Sequence, residues 1–257
     1  MILIKNKDEI KLMRKSGKIN YLTHKLLEDN IKVGITTNEL NDIAHDFIIK
    51  NNASPSFLNY DGFPKSICIS INEEVVHGIP SDRKLKEGDI VSIDIGVNYK
   101  GYHSDSAKTH VVGKTTEENE LLVKNTKESL YKGLRVIKEG VNLSLIGKEI
   151  EQYAKDNNLS VIRELVGHGV GKNLHEEPDI PNYYEPSDVI LKEGMTLAIE
   201  PMLNLGERHI YIEDDDWTIK TEDDLPSAHF EHTILVTKDG YEILTGEWLV
   251  LKRKTEK

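Results

Sequence analysis

Two aspartates stand in a stretch of the chain where a charge is costly to place. Asp94 lies within the apolar run of residues 91–97, which has the composition of a buried strand, and Asp105 follows eleven residues later. We expect residues 85–105 to form a strand, a turn and a second strand. A carboxylate buried there loses free energy unless a metal ion or another cation offsets its charge. Each aspartate alone also fits an ordinary strand-end or turn residue.

Four further segments place a histidine or an acid in an unusual setting. His168 stands among the glycines of residues 167–171, where a backbone or a ligand can come close. His175 begins the sequence HEEP, Glu200 follows apolar residues in MTLAIEPM, and Glu231 enters the apolar run of SAHFEHTILVT. The histidine segment lacks the second histidine of a zinc-protease HExxH motif, and the glycines match neither the P-loop nor the dinucleotide fingerprint. Nucleotide binding is therefore not expected.

Together these segments supply four carboxylates and at least one imidazole, with no thiolate nearby. Oxygen-rich sets with a nitrogen ligand suit harder divalent ions such as Mn(II), Fe(II), Co(II) or Zn(II). Four carboxylates carry a charge of about −4, which two divalent ions would neutralise, so the count favours a two-metal site. Two metals about 3.5–4 Å apart can bridge a water molecule, lower its pKa and stabilise an oxyanion formed on a carbonyl. The pattern indicates metal-dependent hydrolysis.

Composition narrows the class of protein. The 257 residues are 38% hydrophobic and 30% charged, as in a soluble globular protein with a sizeable core. The net charge of −11 argues against nucleic acid as the main partner, and we interpret the basic stretches 11–18 and 251–257 as solvated ends. Cys68 is the single cysteine, which excludes an internal disulfide. With no signal-peptide core and no membrane-length apolar run, we expect a cytoplasmic protein.

Periodicity and capping signals predict four helices separated by strands. Helical spacing covers residues 8–29, and a capping box of Thr36 and Glu39 begins a second helix that the asparagines at 51 and 52 close. Thr115 with Glu118 predicts the start of a third helix, with Gly140 as its C-cap. A fourth is expected over residues 144–157. The remainder reads as strand and loop, with a turn at residues 239–240, so the expected class is α+β.

The chain also repeats itself at an offset of 106 residues. The sequence LKEG occurs at residues 85–88 and again at 191–194, and at the same offset Glu200 matches Asp94. Short matches at 32–34 with 138–140 and at 51–52 with 157–158 preserve the element type. We interpret the chain as one domain, 1–257, built from two duplicated halves, roughly 1–111 and 112–257. Packed face to face, such halves would bring Asp94 and Glu200 towards one cleft.

With these motifs assembled, the chain resembles the type I methionine aminopeptidases, which belong to the pita-bread metallopeptidases. The resemblance rests on the combination of PKSICISINEEVVHGIP, EGDIVSIDIGVNYKGYHSDSAKT, GHGVGKNLHEEP, MTLAIEPM and SAHFEHTILVT, and it covers nearly the whole length. It implies an α+β pita-bread fold with two pseudo-symmetric halves, in which helices cover antiparallel sheets.

The resemblance also implies roles for individual side chains. Two divalent metal ions, from among Co(II), Mn(II), Fe(II) and Zn(II), would be held by five ligands: Asp94, Asp105, His168, Glu200 and Glu231. Asp105 and Glu231 would bridge the ions, and Glu200 would also act as the general base. His77 would lie near the substrate amide and leaving group, and His175 would contact the scissile carbonyl.

The implied reaction is removal of the initiator methionine from new polypeptides when the second residue is small. The pocket for the methionine side chain would be lined by an apolar set, in which aromatic and sulfur surfaces suit a thioether: Tyr60, Phe63, Cys68, Leu174 and Trp217. Any of the three aromatic residues also fits an ordinary core position. The expected partners are the N-termini of nascent polypeptides, with the ribosome as a candidate docking partner, and the expected state is a monomer.

Two alternatives share the fold. A proline-specific aminopeptidase or prolidase would usually carry a large N-terminal domain, whereas here the catalytic unit is expected to start near residue 1. A binding module that had lost catalysis would be expected to have lost metal ligands, and this chain has an acid or histidine at all five positions. Cleavage ahead of proline would favour the first alternative, and absence of any turnover the second.

Overall fold

The computed structural model describes residues 1–247 of the chain. The predicted basic end at 251–257 and the last part of the final predicted strand lie outside the described residues. The helices are α1 (Lys7–Glu28), α2 (Thr37–Lys50), α3 (Glu117–Arg135) and α4 (Ser144–Asp156). The strands are β1 (Ser54–Pro55), β2 (Cys68–Ile71), β3 (Glu74–Val76), β4 (Ile90–Tyr99), β5 (Tyr102–Val111), β6 (Ser160–Val161), β7 (Gly167–Gly169), β8 (Glu176–Ile180), β9 (Thr196–Ile199), β10 (Met202–Asn204), β11 (Ile210–Ile212), β12 (Ile219–Thr221), β13 (Ser227–His229), β14 (His232–Thr237) and β15 (Gly240–Ile243).

The helices begin where side chains satisfy the free N–H groups of the first turn. Helix α1 starts after Asn6, whose side chain accepts from the backbone N–H of Glu9, and Glu9 in turn accepts from the backbone of Asn6. The predicted box of Thr36 and Glu39 is present at α2, which ends at Asn51. These reciprocal bonds fix both helix starts by local sequence alone.

Two predicted helix ends were wrong. The N-cap of α3 is Thr116, whose hydroxyl accepts from the N–H of Asn119, while the neighbouring Thr115 donates its hydroxyl to the carbonyl of Gly88. Gly140 does not cap α3, which ends at Arg135. It takes a positive φ of 85° in the following turn, where its N–H donates to the Leu191 carbonyl at 2.9 Å. A tertiary contact, and not a helix end, requires this glycine.

The predicted strand–turn–strand around the two aspartates is confirmed as a long hairpin. Strands β4 and β5 pair through ten residues each, and the turn consists of Lys100 and Gly101, both with positive φ. In this register Asp94 lies opposite Ala107 and Asp105 lies opposite Gly96. Because opposed residues share a face and side chains alternate along a strand, both aspartates project from the same side of the hairpin.

Two main sheets meet beside this hairpin. The first contains β5, β4, β1 and β2, and the second has the order β15-β14-β9-β7-β8, with all ladders antiparallel. Where β5 runs next to β14, the Asp105 N–H donates to the Thr233 hydroxyl, which donates to the Asp105 carbonyl, both at 2.8 Å. The Glu231 N–H donates to the Ala107 carbonyl at 2.9 Å. These bonds tie the acids of one sheet to those of the other.

The helices cover the opposite side of the sheets. Ser16 on α1 donates its hydroxyl to the Val97 carbonyl at 2.7 Å, and the buried Asn20 bonds the Ile95 carbonyl and the Ser106 hydroxyl. Apolar residues of α1 and α2 pack on β2 and β4, while those of α3 and α4 pack on β9 and β14. Removing this apolar surface from water is the main force that holds helices to sheets.

The 106-residue offset recurs in the backbone. Isolated bridges join Thr36 to Lys84 and, 106 residues later, Asn142 to Ile190. The same holds for N–H to carbonyl bonds and for positive φ angles: Gly34 to Leu85 at 2.8 Å matches Gly140 to Leu191 at 2.9 Å, and Asn52 at 57° matches Asn158 at 55°. These recurrences support duplicated halves, although the division at 111 and 112 stays a prediction. The fold is the expected α+β class.

Within residues 1–247, no helix is both long enough and apolar enough to cross a membrane.

Gly17 offers a test of how tightly α1 is docked. A Cβ at this position would overlap the backbone carbonyl of Leu244, so Gly17→Ala should destabilise by about 1–3 kcal/mol despite the higher helix propensity of alanine. The measurement is the free energy of unfolding in urea. The matched control is Gly133→Ala in α3, where the nearest atoms belong to the Ile150 side chain at 2.9 Å and can move. Equal effects of the two substitutions would contradict this close approach.

Candidate active site

A cavity of about 400 Å³ opens on the side of the sheets away from α1. All twelve residues predicted for catalysis, metal binding and substrate binding line it: Tyr60, Phe63, Cys68, His77, Asp94, Asp105, His168, Leu174, His175, Glu200, Trp217 and Glu231. The fold therefore brings together every residue that the sequence singled out. Their individual roles stay predictions.

Neighbouring strands deliver the five predicted ligands. Asp94 and Asp105 come from the β4–β5 hairpin, and Glu231 directly precedes β14, which pairs with β9. Glu200 follows β9, and His168 on β7 lies opposite Ala198 of β9. Because β5 runs beside β14, the five side chains approach each other from adjacent strands of both sheets.

The ligand atoms are close, and several have no protein partner. Ligand atoms of Asp105, His168 and Glu231 all lie within 4.8 Å of one another. Nε2 of His168 lies 3.4 Å from Oε1 of Glu200. One buried oxygen each of Asp94, Asp105 and Glu231 has no hydrogen-bond partner in the described residues. Buried polar atoms are almost always paired, so these oxygens call for an additional group.

Burial and mutual repulsion change the protonation of the acids. Burial raises the pKa of Asp94 from 3.8 to about 7. Burial, and then the charges of Asp94 and Glu200, raise the pKa of Asp105 well above its ordinary value. The pKa of Glu200 is raised by burial and by Asp94, and that of Glu231 by burial and by the other three acids. Without a cation, this cluster is stable mainly when protons neutralise it.

His168 is held as a neutral imidazole. Its Nδ1 lies 2.8 Å from the Gly169 carbonyl oxygen, and since a carbonyl only accepts, Nδ1 carries the hydrogen. Nε2 therefore presents its lone pair to Glu200. Burial lowers the pKa of His168 to about 4, so the ring is uncharged at neutral pH. This is the arrangement that a metal-binding imidazole requires.

The two predicted catalytic histidines are held differently. His175 is exposed, lies edge-on to His168 with ring centroids 4.3 Å apart, and its Nδ1 is 2.8 Å from the Tyr60 hydroxyl. His77 has a φ of 59°, which is unusual for a residue with a side chain, and burial lowers its pKa to about 4. Strained backbone of this kind persists only when its surroundings fix it. Here Gly78 bonds to strand β2, where its N–H donates to the Ser70 hydroxyl at 3.1 Å.

An apolar wall completes the cavity. Phe63, Cys68 and Leu174 are buried together, and Trp217 packs edge-on against Phe63 with centroids 5.1 Å apart. Cys68 lies opposite Asp94 in the β2–β4 ladder, and burial raises the pKa of its thiol well above 9. The thiol is therefore protonated at neutral pH and is a surface of the wall, in line with the predicted lack of nucleophilic character.

His229 also lines the cavity, although sequence analysis assigned it no role. It is 2% exposed, its Nε2 has no partner among the described residues, and that atom lies 3.8 Å from Oε2 of Glu200. Burial lowers its pKa to about 3. A signal existed, because His229 is two residues before Glu231 and alternation along an extended chain places both on one face.

Known proteins match this chain along most of its length. The family model described as metallopeptidase family M24 matches residues 11–238. Methionine aminopeptidase 1 of Bacillus subtilis is 52% identical over 246 residues, which cover 95% of this chain and 99% of that protein.

Comparison with solved structures points to the same family. The crystal structure of methionine aminopeptidase from Rickettsia prowazekii has a TM-score of 0.94 and 44% identity, covering 96% of this chain and all of that one. The prolidase from Pyrococcus furiosus has a TM-score of 0.76 and 27% identity, and only 65% of that chain is covered. These proteins share the pita-bread fold. The prolidase is a longer chain of lower identity, so the comparison favours the methionine aminopeptidases over the proline-specific alternative. The chain belongs to metallopeptidase family M24 and, within it, to the type I methionine aminopeptidases.

Proposed function

We propose that this chain is a metal-dependent aminopeptidase that removes the initiator methionine from nascent polypeptides when the second residue is small. The observation that carries the proposal is the position of the acid cluster. Four carboxyls and a neutral imidazole converge in a cavity whose wall is aromatic, aliphatic and thiol surface. The carboxyls and the imidazole suit metal-dependent hydrolysis, and the cavity wall suits an unbranched thioether side chain.

The residues fit a pair of divalent ions. The proposed ligands are Asp94, Asp105, His168, Glu200 and Glu231. Buried oxygens without partners, a lone pair on His168 Nε2 and acids that otherwise need protons all favour bound cations. Four ionised carboxylates would balance two divalent ions, for which Co(II), Mn(II), Fe(II) and Zn(II) are the candidates. When bound, such ions would lower the pKa of a water molecule and stabilise negative charge on the attacked carbonyl.

Glu200 is the proposed general base. Its side chain is 14% exposed and therefore lies at the boundary between the buried cluster and the open cavity. Burial raises the pKa of its carboxyl, which brings a carboxylate closer to the range in which it accepts and returns a proton near neutral pH. The neutral rings of His168 and His229 lie beside its two oxygens.

His175 and His77 are proposed to contact the substrate around the scissile bond. Loss of hydration inside the cavity lowers the pKa of both rings, so each is neutral at physiological pH. If Tyr60 donates its hydroxyl hydrogen to Nδ1 of His175, then Nε2 carries the hydrogen and can donate to a substrate carbonyl. A neutral donor of this kind stabilises developing negative charge. His77, which also lines the cavity, would contact the amide and leaving group.

The methionine side chain is proposed to occupy the wall formed by Tyr60, Phe63, Cys68, Leu174 and Trp217. Nascent N-termini are the proposed partners, the cytoplasm the proposed compartment and a monomer the proposed state. Docking to the ribosome is the candidate interaction that co-sedimentation tests.

Peptide cleavage tests the activity. Protein supplied with Mn(II) or Co(II) should release methionine from Met-Ala-Ser and barely from Met-Leu-Ser, because a bulky second residue must enter the same cavity. Excess chelator should abolish turnover, and added metal should restore it. Free methionine measured over time is the readout. Release of residues ahead of proline would instead support a prolidase-like activity.

Substitutions separate the base from the carbonyl-contacting histidine. Glu200→Ala should lower kcat by about 100-fold or more, since general acid–base groups contribute roughly 10²–10⁴-fold. His175→Ala should lower kcat strongly while the metal content per chain stays unchanged. The matched control is His209→Ala at an exposed histidine. Full turnover by the Glu200 variant would remove the proposed base, and equal losses of metal and kcat in the His175 variant would make it a ligand.

The acid cluster also predicts an inverse pH dependence of stability in metal-free protein. Acids with raised pKa values hold protons in the folded protein that the unfolded chain has released, so their contribution is lost as pH rises through the folded pKa. Asp94, with a pKa of about 7, loses its proton around neutral pH, and the pKa values of Asp105, Glu200 and Glu231 are likewise raised well above their ordinary values. The buried histidines have lowered pKa values and titrate below pH 6.5. Burial lowers the pKa of Lys108 to about 8, so this lysine affects stability mainly above pH 8.

The informative window is therefore pH 7 to 8. In chelator, the free energy of unfolding should fall across this window by up to about 1.4 kcal/mol per pH unit for each acid that still holds its proton in the folded protein after the unfolded chain has released it. Asp105→Asn should flatten the slope, whereas Asp239→Asn, in the turn between β14 and β15, should not. A slope that is unchanged in Asp105→Asn would contradict the coupling of these acids.

A further inference from the structure

An ion pair buried at both ends joins the start of the chain to the segment that carries His175. Nζ of Lys5 lies 2.6 Å from Oε2 of Glu176, and the two side chains are 5% and 4% exposed. No other lysine– or arginine–carboxylate pair within residues 1–247 is this buried at both ends. The proposed function assigns neither residue a role.

Each partner is anchored by further bonds. The Lys5 N–H donates to the Gly194 carbonyl at 2.9 Å, and its Nζ also donates to the Leu3 carbonyl at 3.3 Å. Oε1 of Glu176 accepts from the backbone N–H of Asn173 at 3.1 Å. The carboxylate of Glu176 therefore holds the near end of the segment 173–176 through Asn173 and connects it to a fixed point outside the segment.

The neighbouring backbone is packed closely around this pair. A Cβ at Gly171 would lie 2.5 Å from Cε of Lys5 and 2.7 Å from Oε1 of Glu176, so a side chain there would displace the pair. Gly171 in turn accepts from the N–H of His103 on β5 at 2.7 Å. The segment is thus attached to the hairpin that carries Asp94 and Asp105.

His175 needs this support because its own contacts are few. The side chain is exposed, and its contacts are the Tyr60 hydroxyl at Nδ1 and the edge of the His168 ring. An exposed side chain faces one direction only if the backbone beneath it is fixed. Glu176 is the next residue, so the buried pair fixes the backbone at the place that determines where the imidazole points.

We propose that Lys5 and Glu176 are positioning residues, whose buried ion pair holds the segment 173–176 so that the His175 imidazole faces the cavity. The inference rests on the role proposed for His175. Stability alone is a poor explanation of the pair, because replacing a buried ion pair with apolar residues is often neutral or stabilising. Removing only one partner leaves a buried charge unpaired and is destabilising.

The experiment compares single and double substitutions at 25 °C, with circular dichroism to verify that each variant is folded. Lys5→Met and Glu176→Gln should each lower kcat for Met-Ala-Ser about 10- to 100-fold, in the range that a misplaced catalytic group costs, with KM within about twofold. Metal content per chain should be unchanged, and backbone hydrogen exchange over 171–177 should be faster. The control is Lys172→Met, directly before the segment 173–176; its Nζ is 3.8 Å from Oε1 of Glu9 and its side chain is 64% exposed.

The double variant Lys5→Met/Glu176→Leu separates positioning from stability. Its thermal unfolding temperature should recover towards that of the parent while kcat stays low. Parent-like kcat in the double variant, or unchanged exchange over 171–177 in Lys5→Met, would overturn the inference. If the parent protein itself releases no methionine, the proposed function fails, and the exchange rates still decide whether the pair holds the segment.

Discussion

The burial of four carboxyls in one cavity is the constraint on which the rest of this structure depends. Each acid loses hydration, and the charges of Asp94, Asp105 and Glu200 raise the pKa values of other acids in the cluster, so the cluster needs cations or protons to exist. The histidines around it add no positive charge that could offset the acids, because burial keeps them neutral. If these acids hold the proposed metal ions, metal binding and folding of this region are coupled through the same four groups.

The two sheets meet this constraint by supplying rigid supports from different parts of the chain. The β4–β5 hairpin carries two acids on one face, and its other face is bonded to α1. The other two lie directly after β9 and directly before β14, and direct bonds between β5 and β14 set the spacing across the sheets. Strands hold ligand positions more accurately than loops do, which suits a site whose ligands must converge within a few ångströms.

The histidines proposed to contact substrate depend on less regular support. His77 occupies a strained backbone conformation next to a glycine that is bonded into β2, and His175 lies on a segment tied to Lys5 through Glu176. Both devices fix backbone where no long strand runs. The acid cluster thus uses sheet regularity, while the substrate-facing groups use strain and a buried ion pair.

The sequence by itself determined the features that arise from local signals. The capping box at Thr36, the β4–β5 hairpin and the family motifs around the five predicted ligands could all be read directly, because each depends on residues close together in the chain. The cap at Thr116, the turn at Gly140 and the proximity of His229 to Glu200 were decided only by tertiary structure. So was the pairing of Lys5 with Glu176 across 171 residues. Such contacts depend on packing between distant segments, and local composition and spacing carry no record of which segments will meet.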